Sequence, residues 1–538
     1  MKNRYSLTAK GLFPETLPPC FVSNDIQRAM RGIVKDVDDR QFRRRSADYI
    51  RYSGTKHDGG RRFYGTPHPI THHYVSTFVH KHWRKFERQY ATSTYSVSAP
   101  KVLSPDADRA IQVVSLSEVA STAQKRLSYA PFLLKTDISQ FFPSIYTHSI
   151  PWAAHGIEAS KQDMSPASKD LPFNQLDFFV RNCQLAQTRG VLVGPDAFRL
   201  VAEFVSTSID NALHEAVQDV IVGAARHVDD YYIGLKSEAD AMIVLSRLRE
   251  VLQRYELQIN DNKTKIYSSL DPINDLWAQE LKKSIPSDWS LNIDDVLFHL
   301  DKALQLSSEL KTASPVKIAL RNLDKLRIYR KGIWSDVESY LQRICYHYPH
   351  CIDYVCLLVV KRFAIEEDID VDGWGQTCAY LLDRHLAFNH HHEVLWLTWL
   401  MLVCGLPLGD GRVASLCRSQ NGHVLSLLTF AYTKGLINSR PPIRFATRLS
   451  TSDSGWLLNL VARANGFTRA SFSGDFSSEF EHLASRNLEL IDISSYVSSM
   501  EDAPRAISRT RYGYDEDEIE DDDREDDDDD DDDDLPDW

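Results

Sequence analysis

The chain is 538 residues long, 43% hydrophobic and 25% charged, the profile of a globular protein of roughly three to four units of about 150 residues. Its net charge of −13 weighs against a nucleic-acid partner only until its distribution is read. Of the 75 acidic residues, 19 fall between Asp515 and Asp537 beside one base, Arg524, and the remaining 61 basic against 56 acidic residues leave a body of about +5. No apolar stretch follows Met-Lys-Asn-Arg-Tyr-Ser, and the longest apolar run, Val394 to Pro407, falls short of the roughly 18–20 residues of a membrane span. The eight cysteines show no C-x-x-C spacing. A secreted, membrane-bound or zinc-stapled protein is therefore not expected, and reduced thiols in a cytoplasm are.

The first hundred residues are basic and aromatic. Arg43, Arg44 and Arg45 are followed by Lys56, Arg61, Arg62, Phe63 and Tyr64, then by His80, Lys81, His82, Trp83, Arg84 and Lys85. Bases interleaved with flat rings suit a surface that tracks phosphates and stacks bases; a solvated helix face beside a small core fits equally well. Between about 130 and 270 the pattern becomes alternating strands and helices. Phe132-Leu133-Leu134 runs into Lys135-Thr136-Asp137, a strand that ends on a carboxylate, and Val201, Phe204, Val205, Ile209 and Leu213 recur at helical spacing. Ala224 to Leu235 reads as two short strands joined at Asp229-Asp230. Ser237 with Asp240 forms a capping box for a helix reaching about Tyr255, and a turn at Asn260-Asp261-Asn262 precedes Ile266-Tyr267.

From 271 to 500 the signal is helical. Segments near 296–310, 318–330, 336–348, 351–364, 374–387 and 393–404 pair at about 35–45 residues, as in an irregular helical repeat. The run His390-His391-His392 has no second ligand group at metal-site spacing and reads as a solvated loop. Residues 501–538 are too acidic and too simple to bury a core and are expected to be disordered.

Two segments carry the chemistry, Lys135 to Phe142 and Arg226 to Tyr232. Phosphoryl transfer from a nucleoside triphosphate uses two Mg²⁺ ions about 4 Å apart on rigidly held carboxylates. A strand-end Asp137 and a hairpin-tip Asp229-Asp230 supply such carboxylates, because a hairpin turn projects its side chains at the neighbouring strand's end. Either alone is common in surface turns. Between them lies Gln187 to Asp196, in which Gly190 and Gly194 would let a base or sugar approach the backbone closely, with Pro195 placed to start the next helix.

This order resembles the reverse transcriptases. Asp137 with Phe142 looks like their first palm motif, Gly190-x-x-x-Gly194-Pro195-Asp196 like the second, His227-Val228-Asp229-Asp230 like the paired-aspartate box, and Asn260 to Lys265 like the turn after it. Arg62 to Pro69 matches the fingers segment, so that about 220 residues are covered. Gly11 to Pro19, Val193-Gly-Pro-Asp196 and Glu393-Val-Leu-Trp396 are similar to the bacterial abortive-infection and defence-associated members (AbiK-like, unknown-group). Two residues depart from the pattern: His227 stands where an aromatic Tyr or Phe is usual, and Leu192 where proline is usual.

The resemblance implies an α+β protein: an N-terminal segment and fingers over 1–125, a palm over 126–270, an all-α HEAT-like helical-repeat domain over 271–500 and a disordered acidic tail over 501–538. It implies DNA synthesis in antiphage defence, in some members without a template and primed on a tyrosine of the protein. Asp137 and Asp229, with Asp230 as a weaker or more distant ligand and the Ile138 carbonyl, would hold two Mg²⁺ ions, for which Mn²⁺ can substitute. Phe142 would reject a ribose hydroxyl, Lys263 or Lys265 would serve the departing pyrophosphate, and Arg61 and Arg62 would clamp the triphosphate. The expected partners are deoxynucleoside triphosphates, a single-stranded DNA product, a second copy of the chain and, if synthesis is templated, a non-coding RNA. Tyr512 and Tyr514 are candidate priming residues among 23 tyrosines. The acidic tail reads either as a mimic of nucleic acid competing for a basic channel or as a solubilising extension. A nucleotidyl cyclase and a non-catalytic nucleic-acid sensor are the alternatives of other classes.

Overall fold

A computed structural model describes residues 6–497 apart from 31–32, 34–44, 105–106, 108, 115, 269–275, 288–290, 487 and 495. Arg43, Arg44, Tyr512, Tyr514 and the acidic run lie outside the described residues.

The centre of the first half is a four-stranded antiparallel sheet, in the order Ile221–His227, Asp230–Leu235, Phe132–Asp137, Lys265–Ser268. The central strand alternates Leu134 and Thr136 to one face and Leu133, Lys135 and Asp137 to the other, as a period of two requires. Behind the first face lie the helices Asp196–Val217 and Glu238–Arg254, with Leu134, Ile233, Leu235, Val244 and Leu248 in the main core. Ser237 caps the second helix as expected, its Oγ accepting from the Asp240 amide at 3.2 Å, but the Asp240 carboxylate accepts from the Ser237 hydroxyl at 2.8 Å. The helix Leu116–Leu127 covers one end of the other face through a small cluster of Ala123, Leu127, Ala130, Leu133 and Ala225. The opposite end of that face, where Asp137 and Asp230 stand, is left outside this cluster.

In the N-terminal part, the strands Ile50–Thr55 and Arg61–Thr66 form a hairpin. Of the two readings of the basic aromatic segment, the helix face beside a core holds for Trp83–Tyr90. Trp83, Phe86 and Tyr90 are buried, while Arg84 and Lys85 face solvent. Phe63 is different: it is 60% exposed beside Arg62.

The expected helical segments appear as Ile293–Leu310, Ser314–Lys325, Trp334–His347, Ile352–Glu366, Val371–Ala387 and His391–Val403. Trp334, Trp374, Trp396, Trp399 and Trp456 are among the largest fully buried side chains, and they fill this half. Two expectations are corrected here. The region is not all-α, because Arg448–Ser450 and Ser471–Ser473 pair as short parallel strands. The three histidines are not a solvated loop either: His391 opens a helix, His392 is buried, and His390 Nδ1 lies 3.0 Å from His385 Nδ1. The helix they open is apolar all round, so its first turn is drawn into the core with the rest. All eight cysteines are free thiols and seven are buried. Among the described residues no helix is long and apolar enough to cross a membrane.

Candidate active site

Sheet register brings the predicted carboxylates together. Asp137 is the last residue of its strand and lies directly opposite Asp230, the first residue of the neighbouring strand. The Ile138 amide continues the ladder by donating to the Asp229 carbonyl at 3.1 Å, and the Asn260 amide donates to the Asp137 carbonyl at 2.8 Å. Asp137, Asp229 and Asp230 therefore share one end of the sheet, with Ile138 buried beneath them.

The turn that presents Asp229 is held by a buried ionic network. Val228 adopts φ +56°, which is costly for a β-branched residue. Its amide donates to Ser98 Oγ at 2.9 Å, and its carbonyl accepts from Arg226 Nη1 at 2.8 Å. Arg226 is fully buried between Asp210 (2.8 Å) and Glu203 (2.8 Å), and the Tyr231 hydroxyl donates to Asp210 at 2.9 Å. Burial opposes the guanidinium's charge, but Asp210 and Glu203 more than offset this and hold its pKa above the ordinary value. None of this was visible in the sequence, where Glu203 and Asp210 are two polar residues on an otherwise apolar helical stripe.

Like charges set the electrostatics. Burial first, then Asp230 and Asp137, push the Asp229 carboxyl up to about 7, with Arg62 pulling the other way. Asp230 is also raised, by burial and Asp137, against Lys263 and Lys135. Lys263 Nζ donates to Asp137 Oδ2 at 2.8 Å, and this bond, against partial burial and helped by the three carboxylates, raises the pKa of Lys263. The other oxygen, Asp137 Oδ1, is buried without a hydrogen-bond partner. Among the described residues no three His, Cys, Asp or Glu side chains close on one point as a ready metal cage. Crowded carboxylates with one orphaned oxygen still form a hard donor set suited to Mg²⁺ or Mn²⁺. Lys263 supplies one positive charge where a cation would supply more. His227 is buried and its pKa is lowered to about 4, chiefly by burial, so that near neutral pH it is an uncharged ring.

Other predicted residues divide. Arg61 and Arg62 are adjacent on one strand, so they point to opposite faces. Arg62 bears electrostatically on Asp229, whereas Arg61 is bound to Glu393 at 2.6 Å. The expectation that both arginines are available to a triphosphate is corrected: Arg61 is taken up by Glu393, and Arg62 is the one that bears on the aspartates. Phe142 is partly buried, 5.6 Å edge-on from Phe141, and its carbonyl accepts from the Val191 amide at 2.9 Å. Gly190 (φ +87°) and Gly194 (φ +120°) do need glycine, but for packing inside the chain. A side chain at Gly190 would stand 3.1 Å from the Pro143 carbonyl, and one at Gly194 would stand 2.6 Å from Pro14. The idea that these glycines admit a base or sugar is corrected accordingly. Pro195 is the N-cap residue of Asp196–Val217. The Gly11–Pro19 segment packs on this loop: Pro14 lies against Gly194, and Glu15 pairs with Arg199 at 3.3 Å and with Arg109 at 3.8 Å, the latter also pairing with Asp196. Lys135, read only as part of a strand, is an additional cation beside Asp230.

No protein-family profile and no curated protein matches the chain. Solved structures with loose similarity include apo telomerase from Candida tropicalis truncated from its C-terminal domain (14% identity, TM-score 0.31, 47% of this chain and 55% of that one). Apo telomerase from the same organism gives 10% identity and a TM-score of 0.33 over 74% of this chain and 70% of that one. Candida albicans telomerase in complex with a fragment of telomeric RNA gives 11% and 0.27 over 67% of each chain. The chain spans about half the length of the first of these. Overlaps this loose define no family for it.

Proposed function

We propose that this chain is a DNA-polymerising nucleotidyltransferase of the reverse-transcriptase class, acting in antiphage defence, with a HEAT-like helical stack behind its fingers and palm. The observation that carries the chemistry is the meeting of Asp137 with Asp229 and Asp230 at one sheet end, with Asp137 Oδ1 orphaned. Asp137, Asp229 and Asp230 would hold divalent Mg²⁺, which when bound would supply Lewis acidity at the α-phosphate. Arg62 draws the triphosphate towards the aspartates. Lys263, already charged, neutralises the pyrophosphate as it departs. Phe142 closes on the sugar in this reading, which favours deoxynucleotides and disfavours a cyclase, whose substrate needs its ribose hydroxyls. Template-free synthesis primed on the protein is the form of the activity we favour, with a non-coding RNA template as the alternative.

The test incubates the purified chain with Mg²⁺ and each labelled dNTP in turn, without template or primer, and resolves products on a denaturing gel before and after proteolysis. Label that stays with the protein until it is digested supports self-primed synthesis. Label that appears only when RNA is added supports the templated form. A small cyclic product from ATP or GTP would replace the polymerase reading with a cyclase.

A further inference from the structure

The hairpin that carries Arg62 is gripped from the far side by the helical half. Arg61 donates to Glu393 through Nη1 (2.6 Å to Oε1) and Nη2 (3.2 Å to Oε2). The Thr55 amide donates to the same Oε1 at 3.1 Å, and the Thr55 hydroxyl also bonds to it. Arg61 is further fixed on its own hairpin by the Ser53 carbonyl (2.8 Å) and hydroxyl (2.7 Å). Glu393 has no solvent exposure. Burial alone would raise its pKa, but His392 and Arg61 more than offset this and hold the carboxyl down to about 2. Three further bonds run along the same junction: His350 Nδ1 to the Thr55 carbonyl (2.8 Å), the Ala313 amide to the His57 carbonyl (2.8 Å) and Asn421 Nδ2 to the Arg51 carbonyl (3.0 Å).

Because Arg61 and Arg62 are consecutive in an extended strand, fixing one fixes where the other stands. We propose that Glu393 is a positioning residue for the incoming nucleotide, so that the helical half sets triphosphate binding by holding the hairpin that bears Arg62. This rests on the nucleotidyl-transfer reading of the aspartate site.

The experiment measures KM and kcat for dTTP, and dTTP binding by calorimetry, on the full chain and on Glu393→Gln, Arg62→Ala and the double variant. Thermal melts establish that each is folded. The proposal predicts that Glu393→Gln raises KM about tenfold and leaves kcat within about threefold. It also predicts that the double variant is no worse than Arg62→Ala, because both act through one group. If Glu393→Gln fails to fold, Arg61→Lys, which keeps the charge and loses the fork, should give an intermediate KM. Effects of Glu393 and Arg62 that multiply, or a fall in kcat at constant KM, would overturn the proposal. If the wild type incorporates no nucleotide with or without added RNA, the polymerase reading fails by itself. Calorimetry then decides the coupling: the same order of dTTP affinities upholds it, while equal affinities or no binding by the wild type overturns it.

Discussion

Lys263 is two-thirds exposed although its partner Asp137 is buried, so the pair adds little to stability, about 0–1 kcal/mol. On the proposed function its value is chemical. Lys263→Ala should leave the melting temperature nearly unchanged and lower incorporation about a hundredfold; equal activity would remove Lys263 from the reaction. Asp229 makes a second prediction. Its folded pKa of about 7 lies above the unfolded value of 3.8, so the unfolded chain loses this proton first and the native state loses stability as pH rises from about 4 to 7. In EDTA, Asp229→Asn should therefore stabilise the protein above pH 7 by about 1–2 kcal/mol, discounted for partial exposure, and by nothing near pH 4. Melts of both proteins across that range check the sign. The three aspartates were legible in the sequence because strand-end and hairpin-tip carboxylates have few other uses in that order. Arg61 was misread because a basic pair looks alike on a loop and on a strand, and only the strand sends its members to opposite faces.

Among elements, the aspartate hairpin depends on a buried guanidinium that holds its turn. Arg226→Met leaves Glu203 and Asp210 as uncompensated buried carboxylates and frees the strained Val228 turn. Urea unfolding should show a loss of about 3–5 kcal/mol; a loss under about 1 kcal/mol would mean that the network does not support the turn. Helices were the most legible elements, since apolar stripes and the Ser237 cap are local signals. The ionic network was not legible, because its members come from residues 96–98, 203, 210, 226 and 231 and no short-range pattern links them. The glycine loop was legible as special, but its partners, Pro14 and Pro143, lie far from it in sequence.

Across the whole molecule, the contacts that join the two halves were invisible in the sequence. Arg61 meets Glu393, and Thr66 meets His423 at 2.9 Å, across more than 300 residues. Burial lowers His350, His423, His68 and His72 to about 3 and His385 to about 4. Their folded values lie below the unfolded 6.5, so the unfolded chain is protonated first; stability is full above pH 6.5 and falls as pH drops towards 3–4. The expected outcome is a steep loss of melting temperature between pH 6.5 and 5, the opposite direction to the single Asp229 effect, and a shallower slope in His423→Gln. A flat profile would contradict the burial of these rings. The most direct test of the central claim compares Mg²⁺-dependent incorporation of labelled dNTPs into acid-precipitable polymer by the wild type and by Asp137→Asn, Asp229→Asn and Asp230→Asn. Polymer that requires the metal and disappears in the Asp137 and Asp229 variants is the predicted result. Polymer made equally well by Asp229→Asn, or made in EDTA, would contradict it.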